Sequence, residues 1–192
     1  MTKKEVEIFY PKNKKEWRVW LENNHARHDN VWVVFYKKAC GIPTISWSDS
    51  VDEALCFGWI DSKKIAIDSE KSHQFFSKRK PKSTWSKINK EKVERLIAEG
   101  LMTKAGLECI EIAKQNGSWT MLDDVDALII PPDLEAAFER YPRSKAFFES
   151  LSPSIKKMML YWIISAKQKE TRQKRINEIA EMAGQNQKPK QF

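Results

Sequence analysis

The residues best suited to chemistry fall in one stretch. Lys78-Arg79-Lys80-Pro81-Lys82-Ser83-Thr84-Trp85 sets cations, hydroxyls and an aromatic plane directly before an expected helix start, with Asn89 in that helix's opening turn. Free backbone N–H groups and the helix dipole favour anions at such a place. One expectation is a phosphate or carboxylate held by Arg79, Ser83 and the helix N-terminus, with Trp85 stacked on a ring. The other is that Trp85 plugs the core and Ser83 only caps the helix. Upstream, Asp61 closes the apolar run Phe57-Gly58-Trp59-Ile60. Partly buried, this carboxylate would titrate high enough for acid–base work; paired with Arg79 or with turn amides it would be structural. Trp59, Asp61, Arg79, Ser83, Trp85 and Asn89 are therefore grouped as a candidate ligand groove.

Other reactive residues carry weaker patterns. Cys56 lies in an Ala-Leu-Cys-Phe run, and His25, His28 and His73 are scattered, so no nucleophile–base pair is legible and Cys56 reads as a small core residue. His25 and His28 have metal-ligand spacing on a helix but no third ligand is indicated. No glycine-rich phosphate loop occurs, and neither a cofactor nor a metal is expected. The cysteines Cys40, Cys56 and Cys109 are odd in number and far apart, which fits a reducing compartment. Met1-Thr2-Lys3-Lys4-Glu5 lacks a signal-like apolar run, and no stretch reaches the roughly 18 apolar residues of a membrane span, so a soluble, cytoplasmic protein is expected.

The net charge is +8, and it is concentrated: residues 62–95 carry 11 Lys/Arg against 4 Asp/Glu, whereas residues 121–140 carry 6 Asp/Glu against 1 Arg. A basic segment of this kind steers nucleic acid or other anionic partners, or is simply a solvated face or an internal charge match.

Positioning these residues requires a compact scaffold. Glu5–Tyr10 alternates like a short strand, and Lys12–Arg27 sets Trp17, Trp20 and Leu21 on one helical face. Val31–Tyr36 is a strand by its β-branched and aromatic content. Ser48 or Asp49 should cap a helix ending at Gly58, followed by strands over 59–68 and 72–78 joined as a hairpin. This order predicts an α+β fold, a small antiparallel sheet packed by helices. Helices then follow. One is capped by Ser83 or Ser86 with Ile88, Val93, Leu96 and Ile97 inside; the next, over 103–116, buries Leu107, Ile110 and Ala113. The acidic run and Pro131-Pro132 mark a boundary, dividing a core domain (1–120) from an all-helical C-terminal part (121–192). There, Ser152-Pro153 opens a helix bearing Ile155, Met158, Met159, Trp162 and Ile163, and a last helix over 169–183 presents Arg172 and Arg175 as a second basic patch before a disordered tail.

Four segments, Glu53–Asp61, Arg79–Asn89, Met102–Leu107 and Ala166–Ile176, make residues 13–185 similar to the YdeI/OmpD-associated family, also called bacteriocin-protection proteins. Two positions depart from the pattern: Lys78 where a proline is expected, and Leu101 where many relatives have arginine. The resemblance implies protection against bacteriocins or antimicrobial peptides by binding rather than by catalysis, with an unknown protein or anionic partner. Porin contact, another property attached to the family, is not expected without a signal peptide. Two alternatives stand beside it: nucleic-acid or anionic-ligand binding through residues 78–95, and an enzyme using Asp61.

Overall fold

The computed structural model describes residues 6–192. Glu5 of the expected first strand lies outside them. The chain forms two compact units, the first ending at Thr120 and the second beginning at Met121.

The first unit is α+β. Its elements are β1 (Ile8–Phe9), α1 (Lys14–Asn24), β2 (Asn30–Tyr36), α2 (Trp47–Cys56), β3 (Trp59–Ala66), β4 (Lys71–Lys78), α3 (Lys87–Ala98) and α4 (Lys104–Gln115). The strands lie in the order β1-β2-β4-β3. β2–β4 and β3–β4 are antiparallel as expected, but β1 joins β2 in parallel, so the sheet is mixed. Alternation along β2 sends Val31 and Val33 into the core and leaves Trp32 on the opposite face, where it meets Phe75 edge-on at 4.9 Å.

One core gathers Val31, Val33, Trp59 and Phe76 from the sheet with Trp17 and Leu21 of α1, Leu55 and Cys56 of α2, Trp85, and Leu96 of α3. The helix at its centre is α2, buried from Ser50 to Cys56. It starts two or three residues earlier than the sequence suggests: Ser46, not Ser48 or Asp49, is the cap, accepting the Asp49 N–H at 3.0 Å. At its other end Gly58 takes φ +71, the left-handed conformation that lets the chain reverse into β3. α3 is capped by Ser86 rather than Ser83. Ile88, Ile97 and Leu107, expected inside, are exposed, because α3 and α4 cover the core with only a narrow stripe each.

Two carboxylates at the middle of α2 tie the helices together. Asp52 receives Lys92 and Arg95 from α3. Glu53, 1% exposed, receives Lys14 at 3.3 Å and Arg18 at 2.8 Å from α1. Removing one member of a wholly buried pair costs about 3–5 kcal/mol, but the partly exposed Lys14 and Arg18 can be rehydrated. Glu53→Gln is therefore expected to cost less, about 2 kcal/mol, read as a lowered urea midpoint at unchanged m-value. A wild-type midpoint would mean that the pair contributes nothing.

The second unit is helical: α5 (Asp123–Asp126), α6 (Pro132–Phe138), α7 (Ser144–Ser150), α8 (Pro153–Ile164) and α9 (Lys169–Gly184). Leu134, Phe138, Phe148, Met159, Leu160, Ile163, Ile176 and Ile179 form its core, while Met158 is exposed. The expected second basic patch is not free. Arg172 donates to both oxygens of Asp133, at 2.7 and 2.9 Å. Arg175 bonds the Trp162 carbonyl and Ser165 Oγ and lies over the Trp162 ring. The expected disordered tail is instead packed: Pro189 is buried and Phe192 meets Trp162 edge-on at 5.6 Å. No helix among the described residues is long and apolar enough to cross a membrane.

Candidate functional site

The point where α2 ends creates a cleft in the first unit. The last carbonyl of α2, that of Cys56, has no partner within its helix and is taken by Thr103, through the backbone N–H at 3.1 Å and the hydroxyl at 2.7 Å. Thr103 is also the N-cap of α4, so one residue docks the start of α4 onto the end of α2. Opposite α4, β4 runs out at Lys78, and the Arg79 N–H donates to the Gly58 carbonyl at 2.9 Å. The loop after Arg79 is pinned through the Pro81 carbonyl, which accepts Asn116 Nδ2 and Ser118 Oγ.

Between these walls lies a cleft of about 340 Å³. Phe57, Gly58 and Trp59 form its base, Lys78, Arg79 and Pro81 one side, Ala105, Glu108, Cys109 and Ile112 the other, and His25 and Ala26 an edge.

Arg79 sets its chemistry. The residue is 9% exposed, and its guanidinium carbon lies over the Trp85 ring, 3.8 Å from the centroid. Nη1 donates to the Thr84 carbonyl at 2.8 Å, while Nε is buried and has no partner. No carboxylate pairs with it among the described residues, and burial lowers its pKa to about 10. The indole N–H of Trp59, 1% exposed, is likewise buried without a partner. Buried polar groups in native proteins are nearly all satisfied, so two orphan donors on residues of one cleft single it out as the candidate site.

The neighbouring groups are already committed. Lys78 Nζ bonds Asp29 and the Ala26 carbonyl, each at 3.1 Å. His25 Nδ1 pairs with the Leu21 carbonyl at 2.9 Å. Burial raises the Cys109 thiol above its ordinary range, with Arg79 only partly offsetting this, so at neutral pH it is a thiol and not a thiolate. Cys56, in the core, is pushed up to about 11.

Of the six residues expected to share a groove, Trp59 and Arg79 line the cleft and Trp85 supports Arg79 from beneath, packed at 4.9 Å on Trp119. The other three lie elsewhere. Asp61, half-buried on β3, accepts Trp47 Nε1 at 2.9 Å and Gln74 Nε2 at 3.2 Å rather than pairing with Arg79. Ser83 closes a turn on the Lys80 carbonyl, and Asn89 offers its backbone N–H to Ser86. The α4 wall was not legible, because periodicity places Ala105, Glu108 and Cys109 on a helix but says nothing about which neighbour that helix meets. Within the basic segment, Lys78, Lys92 and Arg95 are paired internally.

No curated protein and no solved structure matches the chain. Two families do. Residues 127–186 match the family described as "Bacteriocin-protection, YdeI or OmpD-Associated". That likeness is confined to the helical unit, so the segments around Gly58, Arg79 and Met102 fall outside it. Residues 9–109, more than half of the chain and including nearly all of the cleft, match a different family. By that match the chain belongs to the family of the domain of unknown function DUF8412.

Proposed function

We propose that this chain acts by binding, with the Arg79 cleft as the seat of an anionic ligand, in a protective role of the bacteriocin-protection type. That role rests on the family likeness of residues 127–186. The ligand reading rests on one observation: a buried guanidinium that no carboxylate bonds directly, its burial only partly offset by the charge of Asp61, with an unpartnered Nε and a second unpartnered donor on Trp59. A protein does not ordinarily leave a buried charge unpaired, because desolvation costs several kcal/mol per ion. The protonated Cys109 thiol and the committed His25 ring favour binding over nucleophilic catalysis in the same cleft.

Arg79→Met tests this. Methionine keeps much of the volume and removes the uncompensated charge, offsetting the lost stacking and the Thr84 bond, so stability is expected to stay within about 1 kcal/mol of wild type. Anion binding by calorimetry, and protection in an antimicrobial-peptide killing assay, should both be lost. Retained binding by a folded Arg79→Met protein would overturn the assignment.

The pH dependence has a definite sign. Arg79 is a base held below its ordinary value, so its burial penalty applies below about pH 10 and is relieved as pH rises through that value. Anion affinity should therefore be flat through the neutral range and fall as Arg79 loses its proton near pH 10. Affinity that rises through this range would exclude Arg79 as the anchoring cation.

A further inference from the structure

We infer that the cleft takes a single carboxylate carried on an apolar body, entering carboxylate-first against Arg79; this rests on the anion-binding reading above. Three features of the cleft narrow the anion to that class.

The first is donor geometry. The Arg79 guanidinium is held over the Trp85 ring, and Nη1 is spent on Thr84, the guanidinium's only hydrogen bond among the described residues. What remains is the Nε–Nη2 edge, two parallel N–H groups that fit the two oxygens of a planar carboxylate. The Trp59 indole N–H, at the base of the cleft, is likewise buried without a partner.

The second is charge. Lys78 is already held by Asp29 and the Ala26 carbonyl, and the Cys109 thiol adds no charge. Glu108 puts a negative charge on the exposed wall, paired at 3.7 Å with Lys104, itself strongly exposed. A buried Arg79 already partly offset by the Asp61 charge, opposite a carboxylate at the rim, suits a monoanion; a phosphate dianion would leave a charge facing Glu108.

The third is the remaining wall. Phe57, Ala105, Pro81 and Ile112 present carbon surface, and about 340 Å³ lies at the lower end of the ~300–1,000 Å³ typical of ligand sites. A bare anion would leave that surface wet, whereas a short apolar chain would cover it. Free medium-chain carboxylic acids and the C-terminal residue of a peptide share this chemistry.

Calorimetric titration of the full chain with octanoate, N-acetyl-leucine, N-acetyl-leucinamide, acetate and inorganic phosphate decides the matter. Octanoate or N-acetyl-leucine is expected to bind at least about tenfold more tightly than acetate or phosphate, since each buried methylene adds ~0.8 kcal/mol. Whichever of the two binds better identifies the source, a free acid or a chain end. N-acetyl-leucinamide should not bind, and Trp59→Phe, which loses one donor at a cost in packing, should weaken the best ligand about five- to tenfold when titrated under conditions where the variant is folded. Ile112→Glu changes a residue that is 44% exposed, so it is expected to stay folded, checked by its urea midpoint, and it too should weaken binding by repulsion. Phosphate or acetate binding as tightly as octanoate would overturn this inference and leave anion binding standing. Equal binding of N-acetyl-leucinamide and N-acetyl-leucine would overturn it as well, and binding of none of the probes would remove both readings.

Discussion

Trp85→Ala is expected to destabilise the first unit by roughly 3–5 kcal/mol, the usual cost of deleting a large aromatic from a core, and to abolish ligand binding with it. The indole is 1% exposed and joins a core shared by α1, α2, α3 and the sheet. Its ring meets Trp119 at 4.9 Å on one side and carries the Arg79 guanidinium at 3.8 Å. Alanine would leave a void that neither neighbour can fill, since the Arg79 loop is pinned by the Pro81 carbonyl to Asn116 and Ser118. It would also release Arg79 from its place over the ring, so the cleft would lose its donor edge even in molecules that remain folded. Trp85→Phe separates the two effects: a smaller ring still supports the guanidinium, so binding should survive at a cost in stability. The measurement is a urea transition for each variant, followed by titration under conditions where both are folded. A Trp85→Ala protein with a wild-type midpoint would show that this ring is not part of the core.

The contrast between Trp85 and Arg79 shows what the sequence could and could not disclose. Of the two readings of residues 78–89, the structure bears on the core one: Trp85 is core, and Arg79 lies over its ring. Local signals were legible where the physics is local. Gly58 stops α2 because only glycine takes a left-handed turn there without strain, and the strands around residues 68–71 pair as a hairpin because polar residues separate two β-rich runs. Partnership over long separations was not legible. Arg172 finds Asp133 across 39 residues, and Asp61 finds Trp47 and Gln74 where an ion pair with Arg79 was one expectation. Periodicity also overstated burial on α3 and α4, because it reports which residues share a face but not how wide a stripe the neighbours cover. That no carboxylate bonds Arg79 directly is a property of everything packed around it, and no window of sequence contains it.

Gly106→Ala should cost about 3 kcal/mol or more, although a glycine-to-alanine change within a helix ordinarily stabilises by close to 1 kcal/mol. An added Cβ would lie 2.3 Å from the Cys56 carbonyl oxygen, 2.8 Å from its carbon and 2.8 Å from Met102 Cε. The methionine can rotate away, but the carbonyl is held by both Thr103 bonds and belongs to the end of α2. Overpacking in cores costs 1–3 kcal/mol when side chains can adjust, and more when the obstacle is backbone, as it is here. Relief requires α4 to move away from α2, which would break the Thr103–Cys56 bonds and shift the wall that carries Ala105, Cys109 and Ile112. Gly106→Ala should therefore lower the urea midpoint and weaken ligand binding together, and adding Met102→Ala should restore little of either. A Gly106→Ala protein at least as stable as wild type would mean that α4 does not approach α2 this closely. The α4 wall of the cleft, Ala105, Glu108, Cys109 and Ile112, would then have to be discarded with it.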